Sequence, residues 1–330
     1  MNNYMRITPE DFIEVVRNFY AMKAKGQCSD VNSIIVSQGT EKFSYTFNKK
    51  GKVELWSLTK PFLAILVGIL IDKKEKLDGQ SISLNTKVWP LIKPFIQLEN
   101  LSNYKRLKDI SFYHLLTHTS GFEHSLMFTN LTKKTNIDNL TNYIVNMAIS
   151  NNPGECFKYT NAGGYLLSVI FQEYLKKPLD LLIYDYFFEK IDVDDFSWNK
   201  IGNYCSGATG LNVSNEAIHK LGSIICFDGV YKNTKIVSKN WIDKMSFQHV
   251  HTPGVYDKTR VLPKYGYGLN MYICEDGTVY ADDKKGQYLI VNRQHQYYIT
   301  VTADQKMTKG VTDCLIPLLN KKPRGFEFGI

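Results

Sequence analysis

The spacing of hydrophobic positions divides the chain into two ends of one kind and a middle of another. From Pro9 to about Lys25, Phe12, Val15, Val16, Phe19 and Met22 recur at helical spacing, and Thr8 before Pro9 suits the N-cap. Two strands are predicted next, Ser33–Ser37 and Lys42–Asn48, parted by a turn at Gly39-Thr40. The ten residues Phe62-Leu63-Ala64-Ile65-Leu66-Val67-Gly68-Ile69-Leu70-Ile71 are apolar on every side, as in a fully buried helix, and too few to span a bilayer. From about Lys73 to Pro253 the pattern is one of helices and loops, with helices expected at Asp138–Ile149, Ala162–Leu175 and Asn215–Cys226. Strand patterns return at Tyr267–Cys274, Thr278–Ala281, Gln287–Asn292 and Tyr297–Ala303, with turns at Glu275-Asp276-Gly277 and Arg293-Gln294-His295. A closing helix is expected from about Thr308 to Leu319. Strands at both ends with helices between predict one sheet built from both termini around a helical insertion. The expected division is 1–72 plus 256–330 for the sheet with its flanking helices, and 73–255 for the mostly helical half, interleaved in one domain.

Composition narrows the classes of function. The chain has 330 residues, 44% of them hydrophobic, enough for a large core and too many for disorder. Its formal charge of +8 raises nucleic acid as a partner. The basic residues are scattered among acids, however, and pairs such as Lys73-Lys74, Lys133-Lys134 and Lys284-Lys285 never extend into an arm, so a solvated basic surface is the reading. Cys28, Cys156, Cys205, Cys226, Cys274 and Cys314 lie far apart with no Cys-x-x-Cys pair, which signals neither a zinc site nor a disulfide framework. The segment from Met1 to Asp11 has no apolar signal core. The expectation is a cytoplasmic protein with no nucleic-acid or membrane partner and no metal or cofactor. The pattern is silent on oligomeric state.

Candidate chemistry begins with Ser57-Leu58-Thr59-Lys60, placed just before the buried helical run. In a helix starting at Ser57 the lysine lies one turn on, over the same face. The serine would sit at the positive end of the helix dipole, and an amine made partly neutral by burial could take its proton. The spacing alone is weak, because it recurs at Ser102–Lys105 and Ser197–Lys200. What distinguishes the first occurrence is Pro61, tolerated near a helix N-terminus, and the apolar run behind it. The plain alternative is a solvated helix start with Lys60 on the surface. A second element is Tyr159-Thr160-Asn161, after the Pro153-Gly154 turn and before a helix, where a phenol would be held on a rigid corner. A phenolate beside a lysine can shuttle a proton between nucleophile and leaving group. The plain alternative there is a core tyrosine.

These elements, taken in order, give a resemblance. Val31-Asn32-Ser33-Ile34-Ile35-Val36-Ser37-Gln38-Gly39, Trp56-Ser57-Leu58-Thr59-Lys60-Pro61-Phe62, Leu115-Leu116-Thr117-His118-Thr119-Ser120-Gly121-Phe122, Pro153-Gly154 through Tyr165-Leu166-Leu167, Tyr265-Gly266-Tyr267-Gly268-Leu269 and Gly286-Gln287 span roughly residues 30 to 305. The chain resembles the serine β-lactamase and penicillin-binding-protein-like superfamily, in its class C, D-aminopeptidase and esterase branch. The resemblance implies an α/β (α+β) fold of the β-lactamase/transpeptidase type, with an antiparallel sheet formed from both termini. It also implies that Ser57 is the acylated nucleophile, Lys60 its base, Tyr159 the proton-transfer partner, and Asn161 a partner of Lys60 or of substrate. His118 and Ser120 belong to a family loop read as mainly structural.

The third family motif departs from pattern. It usually reads Lys-Thr-Gly, His-x-Gly or a glycine-rich run ending in Gly-Gln, and here it is Ala281-Asp282-Asp283-Lys284-Lys285-Gly286-Gln287. Anchored on Gly286-Gln287, the small-glycine position falls near Asp283. That strand normally supplies a backbone amide to the oxyanion hole, and an inward carboxylate would oppose the oxyanion. Strand alternation would place Lys284 and Lys285 on opposite faces, so that one of them meets a substrate carboxylate, with Asp283 turned away or paired to it. Asp283, Lys284, Lys285 and Gly286 are the candidate substrate contacts beside Asn161. The function expected is a serine hydrolase or acyl-transferase acting on an ester, amide or D-residue peptide as a small-molecule or peptide acyl substrate. The alternative is a non-catalytic ligand-binding or sensor protein on the same fold. A drug-resistance enzyme and a cell-wall transpeptidase are disfavoured by the missing export signal.

Overall fold

The fold is described from a computed structural model, for residues 6–28, 30–123, 125–126, 140–258, 260–283, 285–305 and 309–319. Helix α1 (Pro9–Ala24) starts at Thr8, whose side chain accepts from the Asp11 amide while Asp11 caps back onto Thr8. This reciprocal box satisfies two of the amides a helix start leaves unpaired. The main sheet has eight strands, β1 (Val31–Gln38), β2 (Glu41–Thr46), β3 (Val250–His251), β4 (Gly266–Tyr267), β5 (Tyr272–Ile273), β6 (Val279–Asp282), β7 (Tyr288–Asn292) and β8 (Tyr297–Ala303). Their order across the sheet is β3-β4-β5-β6-β7-β8-β1-β2. Every neighbouring pair is antiparallel, and β1 joins β8 with Ile34 opposite Val301. The first and last parts of the chain are thereby locked together in the middle of the sheet.

Alternation along the strands sorts side chains to two faces. Ile34, Val36, Ile290, Ile299 and Val301 join Phe12, Val15 and Phe19 of α1 and Leu315 and Leu318 near the C-terminus in one cluster. Leu289, Val291 and Tyr298 face the other way, into the larger core. The helices of that core include α2 (Thr59–Asp72), α3 (Phe112–Leu116), α4 (Leu140–Asn146), α5 (Ala162–Leu175), α6 (Asn215–Cys226) and α7 (Lys239–Ser246). Helix α6 lies directly on β1, β7 and β8, so the long middle stretch of the chain also covers the sheet. Helix α2 is buried from Thr59 through Leu70. Among the described residues no helix is long and apolar enough to cross a membrane.

Several expected elements take a different form. The run Tyr267–Cys274 is not one strand but the hairpin β4–β5. Gly268 donates to the Met271 carbonyl at 2.8 Å, and Asn270 adopts φ +60, a conformation asparagine tolerates in tight turns. The alternation of Tyr267, Leu269, Met271 and Ile273 concealed that turn. The closing helix breaks into Lys309–Cys314 and Ile316–Leu319, and Thr308 lies outside the described residues. The helix expected over 138–149 is described only from Leu140 to Asn146, residues 138 and 139 lying outside the described part.

Gly68 is the point of closest approach to α2. A Cβ there would lie 2.3 Å from the Trp241 ring of α7, and the indole nitrogen donates to the Ala64 carbonyl at 3.0 Å. Gly68→Ala must push Trp241 off the helix, and overpacking of this kind costs about 1–3 kcal/mol. Urea unfolding should show the loss as a lower midpoint with unchanged slope. An unaltered midpoint would show that α7 yields freely there.

Candidate active site

The nucleophile candidate sits on a sharp join between strand and helix. Val53–Glu54 pairs with Leu211–Val213, and Leu55 continues that contact by donating to the Leu211 carbonyl. Trp56 then takes φ +47, which bulky side chains rarely adopt. Residues Trp56–Leu58 form a 3-10 turn, and the α-helix proper begins at Thr59. Ser57 therefore precedes α2 by one tight turn rather than starting it. It is half-buried and reachable, while Lys60 beneath it is only 2% exposed.

The surroundings of the Lys60 amine are the most informative geometry in the molecule. Its Nζ donates to Asn161 Oδ1 at 2.8 Å and to the Ala208 carbonyl at 3.0 Å, and lies 3.3 Å from Ser57 Oγ. The first two partners can only accept. A neutral amine has two N–H bonds, so both are committed and its lone pair is left for the Ser57 hydroxyl. Burial favours that neutral form and brings the Lys60 pKa down from 10.5 to about 7, against an upward pull from the Asp283 carboxylate.

Tyr159 completes the cluster. Its ring lies under Lys60 Nζ, 4.7 Å to the centroid, and its hydroxyl is hydrogen-bonded to Ser57. Protein crowded around that hydroxyl raises its pKa, the Ser57 bond opposes the rise, and the charges of Asp282 and Asp283 add to it. Lowered lysine and raised tyrosine together favour neutral amine beside neutral phenol. The phenolate expected from sequence is thus replaced by a protonated phenol, because desolvation penalises both charged forms.

The motif at 281–287 departs from expectation. Strand β6 ends at Asp282 and β7 begins at Tyr288, with Lys285 and Gly286 in the turn between them. Gly286, at φ +94, donates to the Asp283 carbonyl at 3.1 Å, and the Asp283 amide donates to the Gln287 carbonyl at 3.1 Å. Alternation therefore stops before Lys285. Lys285 is ion-paired to Asp304 at 3.2 Å, and its amide donates to Asp283 Oδ2 at 2.7 Å. Lys284 lies outside the described residues. Asp283 is 8% exposed, and its charge is felt by both Lys60 and Tyr159.

Some contributors carried no legible signal in the sequence. Ala208 acts through its carbonyl, which no side-chain motif reveals, although the small residues Ser206-Gly207-Ala208-Thr209-Gly210 hint at a close approach. A Cβ on Gly164 would meet Ala208 at 2.7 Å, and one on Gly207 would meet the Gly164 carbonyl at 2.0 Å. Asn270 donates its side-chain amide to the Lys60 carbonyl at 3.1 Å, tying the β4–β5 turn to α2. Lys264 rests 4.1 Å from the Tyr272 ring centroid, and Tyr272 stacks on Tyr159 at 6.1 Å. Asp282 is shared between Lys264 at 3.5 Å and Arg260 at 3.8 Å.

A family model described as Beta-lactamase matches residues 33–312 of the chain. A search of curated proteins found no match. Among solved structures, the chain is similar to EstCE1, a hydrolase with promiscuous acyltransferase activity, at 13% identity and TM-score 0.73, covering 93% of this chain and 100% of that one. It is similar to the β-lactamase/D-alanine carboxypeptidase of Pseudomonas syringae at 15% identity and TM-score 0.67, covering 93% and 98%. It is also similar to the octameric penicillin-binding protein homologue of Pyrococcus abyssi at 17% identity and TM-score 0.70, covering 95% and 78%. At these identities the structural likeness speaks for the fold.

Lys60 should titrate near 7, seen as a pH-dependent shift of its Cε resonance in carbon-13 NMR assigned with Lys60→Met. Asp283→Asn removes the carboxylate that favours the ammonium, so the midpoint should fall further. A midpoint near 10, or one that Asp283→Asn raises, would show that water reaches the amine.

Proposed function

The chain belongs to the beta-lactamase family, and we propose that it works as a serine hydrolase or acyl-transferase that carries an acyl group as an ester on Ser57. The observation that carries the reading is the Lys60 amine, held by the acceptors Asn161 and Ala208 and 3.3 Å from Ser57 Oγ, so that in its neutral form the lone pair is left for the Ser57 hydroxyl. In acylation Ser57 Oγ attacks the acyl carbon as its proton passes to Lys60. The tetrahedral intermediate collapses when the leaving oxygen or nitrogen takes the Tyr159 proton, and the phenol is reprotonated from the Lys60 ammonium. Attack by water, or by an acceptor hydroxyl or amine, reverses these transfers and frees the enzyme. The substrates fitting this chemistry are esters, amides and peptides with D-residues. The hydrolase, acyltransferase and carboxypeptidase named among the similar structures support that range.

A second reading, non-catalytic binding of an acyl ligand on the same fold, draws on Asp283. The amide of Asp283 is committed to Gln287, and its carboxylate charge, felt at Lys60, would oppose an oxyanion formed beside Ser57. Loss of one oxyanion donor costs about 3 kcal/mol in the transition state.

Intact-mass analysis after treatment with a fluorophosphonate, and with a panel of esters and β-lactams, separates the two readings. The wild type should gain one adduct, on Ser57, and Ser57→Ala none. Lys60→Arg, cationic throughout the working range, should be nearly inert. Tyr159→Phe should slow acylation or deacylation by about 10²-fold. An adduct that persists in Ser57→Ala moves the nucleophile elsewhere. Ligand binding without any adduct establishes the binder.

A further inference from the structure

His118 is held in a conformation that serves Tyr159. It takes φ +57 and is 2% exposed, in the loop that follows α3. That loop is pressed against the segment preceding Tyr159. Gly154 donates to the Thr119 carbonyl at 2.8 Å, Ser150 donates to the Gly121 carbonyl at 3.1 Å, and a Cβ on Gly121 would lie 2.2 Å from the Asn151 carbonyl oxygen. Within this contact His118 takes two amides. Its backbone carbonyl accepts from Lys158 at 2.8 Å, and its ring Nδ1 accepts from Thr160 at 3.4 Å. These are the residues on either side of Tyr159. The imidazole itself lies 4.5 Å from the Tyr159 ring, centroid to centroid, and Tyr272 stacks on the same phenol at 6.1 Å.

The far nitrogen settles the tautomer. Nε2 lies 3.0 Å from the Tyr267 hydroxyl. Since Nδ1 accepts the Thr160 N–H, the neutral ring carries its proton on Nε2 and donates it to Tyr267. We infer that His118 is a positioning residue for the Tyr159 phenol, bracketing it through both flanking amides and backing its ring. The inference rests on the reading of Tyr159 as the proton carrier.

Neutrality belongs to the same design. The groups facing the imidazole are Lys60, Tyr159 and Tyr267, and burial together with the Lys60 charge pushes its pKa well below 6.5. A protonated ring would lose the Nδ1 acceptor and set a second cation beside the phenol. With the ring neutral, the Lys60 ammonium formed in the proposed cycle meets no imidazolium beside the phenol.

Three variants separate positioning from mere packing. His118→Leu fills the space without an acceptor. His118→Asn tolerates positive φ and can place an amide oxygen near the former Nδ1, while losing the ring and the bond to Tyr267. His118→Gln can reach Tyr267 but not Thr160. Fluorophosphonate labelling of Ser57 should slow by about 10- to 100-fold in His118→Leu, as for a displaced catalytic group. His118→Asn should recover most of that loss, and His118→Gln should resemble leucine. In parallel, proteins made with carbon-13 tyrosine, the Tyr159 signal assigned with Tyr159→Phe, should show that resonance displaced in His118→Leu and nearer wild type in His118→Asn. Equal slowing in all three variants, following their melting temperatures, would reduce His118 to a packing residue. Wild-type labelling and an unmoved Tyr159 signal in His118→Leu would overturn the inference outright. The NMR arm reads the phenol directly. Displacement in a protein whose Ser57 never labels would uphold the positioning while removing the hydrolase reading.

Discussion

The site depends on keeping water away from one amine. Lys60 lies at the top of a helix that is apolar on all sides, and holding its pKa near 7 rather than 10.5 amounts to on the order of 5 kcal/mol of folding stability forgone at neutral pH. The sign follows from linkage. A base whose folded pKa is depressed costs the fold most below that pKa, and the cost fades only as pH rises toward the unfolded value. No local interaction offsets a penalty of this size, so the core around α2 does. Phe62, Leu63, Leu66 and Val67 are fully buried. The positive φ of Trp56 adds strain at the same junction, as at other functional sites where the scaffold over-determines the backbone.

Fixing the direction of the amine's lone pair is a separate requirement, and distant parts of the chain meet it. Asn161 comes from the start of α5, Ala208 from a glycine-flanked turn, and Asn270 from the β4–β5 hairpin, where it holds the Lys60 carbonyl. The turn of Ala208 can approach only because residues 164 and 207 lack side chains. The sheet contributes indirectly. Gln287, just before β7, donates to the Glu54 carbonyl and accepts from the Ala303 amide, fastening the strand before Ser57 to the sheet centre. A register slip in β7 or β8 would therefore reach Ser57.

How much of this could be read from the chain follows from which interactions carry the information. The buried helix after Ser57 and the helices Ala162–Leu175 and Asn215–Cys226 were legible because long periodic segments declare themselves. The shared sheet was legible because strand patterns cluster at both ends. The meeting of Ser57, Lys60 and Tyr159 was legible through spacing and motif order, but its protonation state was not, since that depends on burial assembled from the whole fold. The β4–β5 hairpin was lost because alternating apolar residues continue through its turn. The end of the strand before Lys285 was missed because periodicity cannot tell where a strand ends. The Lys285 ammonium, in the turn, pairs with Asp304. Ala208 was beyond any side-chain reading, and Lys264 has no periodic signature.

The unusual acidic turn bears on the proton cycle as well as on the oxyanion. In the proposed cycle Lys60 must be neutral to accept the serine proton, yet must hold that proton long enough to pass it on. Desolvation alone drives the amine toward a base too weak to keep it, and the Asp283 carboxylate opposes that drive. The same charge, with that of Asp282, raises the Tyr159 pKa and keeps the phenol protonated between transfers. Asp282 is partly balanced by Lys264 and Arg260, whereas Asp283 is held within its own turn by the Lys285 amide. A glycine in place of Asp283 would ease formation of the oxyanion but leave the lysine less able to carry a proton at neutral pH. In the proposed cycle the acidic turn would therefore trade part of the oxyanion's electrostatic support for a lysine whose two protonation states lie close in energy.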